Sequence, residues 1–197
     1  MSNYLNWIGL ASALAIILTV VAYVPYVKAI RGGVVKPHFF SWLIWSLTTS
    51  IVFLAQLAEE GGAGAWPTGV SAAITVYVAW LACVLRSDFT NTRSDWAFLI
   101  AALLSLPLWY LTDDPLWSVV ILTLVDALGF GPTLRKAWQK PHEESLQFYA
   151  IFAVRSLLSI FALESRTLTT VLFPLVMVIA CICVCVMLYW RKRSQPA

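Results

Sequence analysis

Two ionisable residues stand inside otherwise apolar stretches. Asp126 lies in Leu122-Thr123-Leu124-Val125-Asp126-Ala127-Leu128, and Arg155 in Phe152-Ala153-Val154-Arg155-Ser156-Leu157. A charge in such a setting costs roughly 3 kcal/mol on insertion scales, so it is expected to face a partner, a cavity or water. The two side chains offer complementary chemistry. Asp126 can take a proton or a cation, and the planar fork of Arg155 can hold a carboxylate or a phosphate. Two arrangements are open: an Asp126–Arg155 ion pair that locks two segments together, or a central cavity onto which one or both project.

A second group of candidates is aromatic and polar. Trp42 and Trp45 are three residues apart in Ser41-Trp42-Leu43-Ile44-Trp45, so on a helix they share a face. Ser145-Leu146-Gln147-Phe148-Tyr149 adds Gln147 and Tyr149. His38 and His142 each follow a Lys-Pro pair and precede a serine by three residues. They are expected to help stop a loop, with Ser41 or Ser145 capping the helix that follows. Without cysteines or paired carboxylates nearby they make a poor metal site. Cys181 and Cys185 share a helix face and Cys183 does not, so three convergent metal ligands are not expected. No nucleophile–base constellation, phosphate-binding loop or zinc motif is present, and no cofactor or enzymatic activity is expected. No apolar run holds a deep lysine of the kind a retinal Schiff base needs.

These residues must be positioned by membrane helices. Of the 197 residues, 60% are hydrophobic and 12% are charged, about half the charge of a soluble domain. Apolar runs occupy 7–30, 39–58, 66–85, 96–111, 116–134, 146–163 and 168–190. A bilayer core about 30 Å thick needs roughly 20 apolar residues per helix, so seven transmembrane helices account for most of the chain. The first run lacks a basic region before it and a small-residue cleavage site, so it reads as a retained helix. Trp and Tyr cluster at the ends of the runs, as at a membrane interface. Asp126 is about 16 Å from Pro115 and Arg155 about 15 Å from Ser145 at 1.5 Å per residue, so both fall near mid-membrane.

Lys and Arg set the orientation. Lys28, Arg31, Lys36, Arg86, Arg93, Arg135, Lys136, Lys140, Arg191, Lys192 and Arg193 all fall on one side. Glu59, Glu60, Asp113, Asp114 and Glu164 fall on the other, with Arg166 as its single basic residue. The positive-inside rule places the eleven in the cytosol, the N-terminus outside and the C-terminus inside. The net charge of +3 therefore reflects topology, and no nucleic-acid partner is expected. The absence of targeting signals fits a bacterial inner membrane, and a homo-oligomer is a further expected partner.

The chain also repeats. Lys36-Pro37-His38-Phe39-Phe40-Ser41 and Lys140-Pro141-His142-Glu143-Glu144-Ser145 share K-P-H-x-x-S, and a proline precedes each, Pro25 and Pro132. Helices 1–3 therefore match helices 5–7, with helix 4 left over. Because the extra helix restores the chain direction, the two units are parallel repeats. The expected division is 1–86 (first three-helix bundle), 87–114 (linker helix) and 115–197 (second bundle). The places matching Asp126 and Arg155 in the first unit hold Thr19 and Ile51, so the charges belong to the second unit alone.

This three-one-three pattern, with a proline near the basic end of helices 1 and 5, resembles the PQ-loop superfamily, which includes the SWEET-type transporters. The resemblance covers nearly the whole chain and rests on architecture. The Pro-Gln pair typical of that family is Pro25-Tyr26 and Pro132-Thr133 here, whereas the following basic residue is present twice, as Lys28 and Arg135. The resemblance implies a substrate pocket between two bundles, with the third helix of each packed between the first two. It also implies hinges at Pro25 and Pro132, and aromatic rings such as Trp45 and Tyr149 closing over the substrate. Trp42, Gln147, Asp126 and Arg155 complete the expected site. Sugar pockets of this family use asparagines on the third helix of each unit. Asparagine occurs here only as Asn3, Asn6 and Asn91. The third helices offer Ser71, Thr75, Tyr77, Thr169 and Thr170 instead, so a charged or zwitterionic solute suits the chain better than a sugar. The expected function is small-solute transport. A ligand-binding receptor or sorting protein, or a non-transporting accessory protein on the same fold, is the alternative.

Overall fold

The computed structural model describes residues 2–33, 37–85, 89, 93–139, 141 and 145–194. Lys36, Arg86, Lys140, His142, Glu143 and Glu144 lie outside the described residues, as do the side chains of Pro132, Arg135 and Lys136. The described chain is helical: α1 (Ser2–Arg31), α2 (Phe39–Ala58), α3 (Trp66–Val84), α4 (Arg93–Thr112), α5 (Pro115–Gln139), α6 (Leu146–Ala162) and α7 (Leu168–Ser194), with one 3-10 turn at Gly62–Ala65. Several helices overrun the expected apolar runs. The ends of α1 and α7 continue into Lys28 and Arg31 and into Arg191, Lys192 and Arg193. Long basic side chains allow this by covering apolar surface with their stems while their charges reach water.

Stretches of α1 and α3 bury small and hydroxyl-bearing residues and expose large apolar ones. On α1 the exposed residues include Trp7, Leu10, Leu14, Ile17, Val21 and Val24, whereas Ser12, Ala15, Thr19 and Ala22 are buried. On α3 the buried side is Thr68, Ser71, Ala72, Thr75 and Ala79, and Val76, Trp80 and Val84 are exposed. Small and hydroxyl-bearing residues let helix backbones approach closely, and large aliphatic residues are left facing a medium as apolar as themselves. Five helices are long and apolar enough to cross a membrane: Asn6–Arg31, Phe39–Ala58, Gly62–Val84, Asp95–Thr112 and Leu168–Ser194. The stretches Pro115–Phe130 and Leu146–Ala162 are shorter apolar helices. Among the described residues, the expectation of seven membrane helices is met by length and composition in five, and α5 as a whole runs for 25 residues.

Helix α3 packs against both α1 and α2, and α7 against both α5 and α6. Helix α1 also packs extensively against α6, and α2 against α5, with lighter contacts of α2 with α7 and α3 with α6. Helix α4 lies against α5 and α2. Pro25 sits inside α1, which continues through it to Arg31, and the helical path of α5 continues through position 132.

The serine caps divide. Ser145 caps α6 as expected, accepting from Phe148 N at 3.2 Å. Ser41 does not cap α2. That helix begins at Phe39, and His38 is its cap, with Nδ1 accepting from Ser41 N at 3.3 Å. The imidazole reaches the third backbone N–H and also bonds Ser41 Oγ at 2.8 Å, so the serine supports the cap from inside the helix.

Candidate functional site

Asp126 and Arg155 are both buried, 6% and 4% exposed, and they do not pair. Arg155 Nη1 donates instead to the carbonyl of Pro67 at 3.2 Å, and its guanidinium lies over the Phe152 ring at 4.7 Å. Its Nε has no hydrogen-bond partner. The Thr48 hydroxyl stands beside the Asp126 carboxyl and donates to Trp45 O at 3.1 Å, while Asp126 Oδ1 has no partner. Tyr23 of α1 is buried and packs against Phe152, the ring beneath the Arg155 guanidinium. Buried charged groups without full sets of partners are expensive, and their partly satisfied state marks a place where a polar ligand gains most.

The surrounding layer is polar. Thr49 and Thr75 hydroxyls bond at 3.1 Å between α2 and α3. Ser71, Thr123 and Ser156 are buried with hydroxyls that have no partner. These buried polar groups come from several helices, with Ser71 on α3, Thr123 and Asp126 on α5, and Arg155 and Ser156 on α6.

Toward the basic helix ends the layer is covered by rings. Tyr23 makes edge contacts with Trp42, Phe148 and Phe152, at centroid separations of 6.3, 6.4 and 5.4 Å. Trp42 stacks on Tyr26 at 5.1 Å, and its Nε1 donates to the Tyr26 hydroxyl at 3.3 Å. Trp45 meets Trp42 edge-on at 5.1 Å. The cover combines rings from α1, α2 and α6.

The opposite end is sealed by hydrogen bonds to the turn that enters α3. Ser159 Oγ donates to Gly64 O at 2.8 Å, Glu164 N to Gly61 O at 3.2 Å, and Ala63 N to Glu164 Oε1 at 3.1 Å. Ser12 Oγ donates to Ala63 O at 2.6 Å, and beside the turn Gln56 Nε2 of α2 donates to Thr170 O of α7 at 2.9 Å. Gly64 allows the close approach: a methyl group there would run into the backbone of Ala162 and Leu163.

The expected site residues divide. Asp126, Arg155 and Trp42 join the central layer and its cover. Trp45 is 36% exposed and lies over Gly129, lining a cavity of about 160 Å³ between α2, α4 and α5. Tyr149 packs near Val184 and Leu188 of α7, and Gln147 is exposed. The rings of α6 that meet α1 are Phe148 and Phe152, neither of which was expected. The 146–149 stretch does not give their direction, because one residue along a helix turns a side chain by about 100°. Tyr77 faces outward, stacked on Trp80 at 5.8 Å. Tyr23, Gln56 and the 61–67 turn carried no sequence signal. The three clustered cysteines are arranged as their spacing requires: Cys181 is buried, Cys185 is half-buried and Cys183 is exposed.

No protein-family model, curated protein or solved structure matches this chain.

Proposed function

We propose that the chain is a small-solute transporter of seven membrane helices, arranged as two three-helix units joined by α4 and working by alternating access. The observation that carries this is the buried pair of incompletely satisfied charges, Asp126 and Arg155, in a polar layer where the two units meet. The contacts of α3 with α1 and α2, and of α7 with α5 and α6, support the three-one-three grouping. Its resemblance to the PQ-loop architecture rests on that grouping and on the K-P-H-x-x-S repeat. By the positive-inside rule the basic helix ends face the cytosol. The 61–67 seal is then the outer gate and the ring cover the inner one. Both close in this conformation over a layer that offers an anionic and a cationic group, which suits a charged or zwitterionic solute. The resemblance assigns Pro25 and Pro132 to hinges.

A thermal-shift screen of purified protein against sugars, amino acids, organic cations, vitamins and nucleosides, repeated on Asp126→Asn, tests this reading. One charged or zwitterionic class should stabilise the protein, and the variant should lose that stabilisation. Asparagine keeps the shape and replaces a buried carboxyl whose Oδ1 has no partner, so the ligand-free variant should melt no lower than the wild type. If no solute stabilises the wild type and Asp126→Asn melts well below it, the two charges are scaffolding and the protein has an accessory role.

A further inference from the structure

A groove of about 410 Å³ runs between α1 and α3 on the outside of the helix set, a volume within the roughly 300–1,000 Å³ usual for ligand sites. Val20, Val24 and Val27 form one wall, and Val70, Ala73 and Ile74 the other. The β-branched side chains have few rotamers, so the walls are stiff. Tyr77 edges the groove, its ring fixed by stacking on Trp80. At one end stands Lys28, exposed, with Arg31 one turn farther along α1 and also exposed. Neither α1 nor α3 contains an acidic residue.

We propose that this groove holds an acyl chain of an anionic phospholipid, with the lipid phosphate on Lys28. From Val20 to Lys28 the groove runs about 12 Å along the helix at 1.5 Å per residue, from the interface into the hydrocarbon. An apolar groove with an exposed lysine at one end matches a ligand with an apolar tail and an anionic head. Basic pockets between helices near the membrane surface hold anionic headgroups by the same electrostatics. A second copy of the chain fits less well. A symmetric pair about an axis along the membrane normal would place Lys28 opposite Lys28 at the same depth. Tyr23 lines the groove and also touches Trp42 and Phe152, so the lipid lies one ring away from the central layer. The proposal needs the chain to be in a membrane and does not depend on transport.

The test is a titration of the purified full chain in detergent with dioleoyl phosphatidylglycerol and dioleoyl phosphatidylcholine, read by native mass spectrometry. Wild type should retain one phosphatidylglycerol more tightly than phosphatidylcholine. Lys28→Ala should weaken the glycerol lipid about five-fold, the equivalent of roughly 1 kcal/mol per basic residue near an anionic headgroup. Lys28→Arg should keep the preference. Ala73 is exposed, so Ala73→Trp fills the groove without disturbing the core and should abolish retention of both lipids. Equal retention of the two lipids by wild type, or unchanged retention in Ala73→Trp, overturns the proposal. A dimer that Ala73→Trp splits would give the groove to a second copy and overturn it equally.

Discussion

Replacing Gly64 with alanine should push the protein toward a state open at the 61–67 end. Gly64 does not need a left-handed backbone, unlike Gly62 at φ +59, so alanine is acceptable to the local chain. Its Cβ, however, would meet the backbone of Ala162 and Leu163, which cannot rotate away as a side chain could. The carbonyl that accepts from Ser159 remains, so the perturbation is steric. Overpacking of this kind costs about 1–3 kcal/mol, and that strain falls only on the closed state. It multiplies the open-to-closed ratio by roughly 5 to 150. An open state populated at about 1% would rise to between roughly 5% and 60%. The readout is a single cysteine at Ser71, a buried hydroxyl without a partner, in a background lacking the four native cysteines. Its labelling by a membrane-impermeant maleimide from the outer face should accelerate by about the same factor as the open fraction rises. Gly69→Ala serves as the control. A methyl there meets the Phe53 ring, a contact between α3 and α2, and should lower stability without changing the labelling rate. If Gly64→Ala melts lower and Ser71→Cys labels no faster, the strain has no open state to escape into, and the gate reading fails.

Three further predictions follow from the same contacts. Arg155→Met removes a charged hydrogen bond to Pro67 O and should cost about 1.5–3 kcal/mol, read as a lower unfolding midpoint, with a smaller loss in Arg155→Lys, whose ammonium can still donate one hydrogen bond. Trp42→Phe keeps a ring against Tyr23 and Tyr26 but loses the bond to the Tyr26 hydroxyl, and should cost about 1 kcal/mol, against about 3–5 kcal/mol for Trp42→Ala. Both are measured by thermal unfolding in detergent. For topology, single cysteines at Glu59 and Ser194 in the cysteine-free background should react with impermeant reagent from opposite faces of sealed vesicles, and reaction of both from one face would refute the orientation.

The composition and the spacing of apolar runs were enough to determine an all-helical chain with membrane-spanning helices, because in hydrocarbon a backbone has to satisfy its own hydrogen bonds. They also singled out Asp126 and Arg155 as ionisable residues inside apolar helices, and both are buried. The burial pattern of α1, with Thr19 buried and Ile17 exposed, was partly readable in the small and hydroxyl residues of its sequence. Which groups meet was decided by the tertiary structure. Arg155 turns to the carbonyl of Pro67, 88 residues away, because a free backbone acceptor at the entrance to α3 lies within its reach. Phe148 and Phe152 face Tyr23, while Tyr149 turns to α7. These choices depend on the rotation of each helix about its own axis. In a run that is apolar on every side, the sequence pattern leaves that rotation undetermined, and it is settled by close packing against the neighbouring helices.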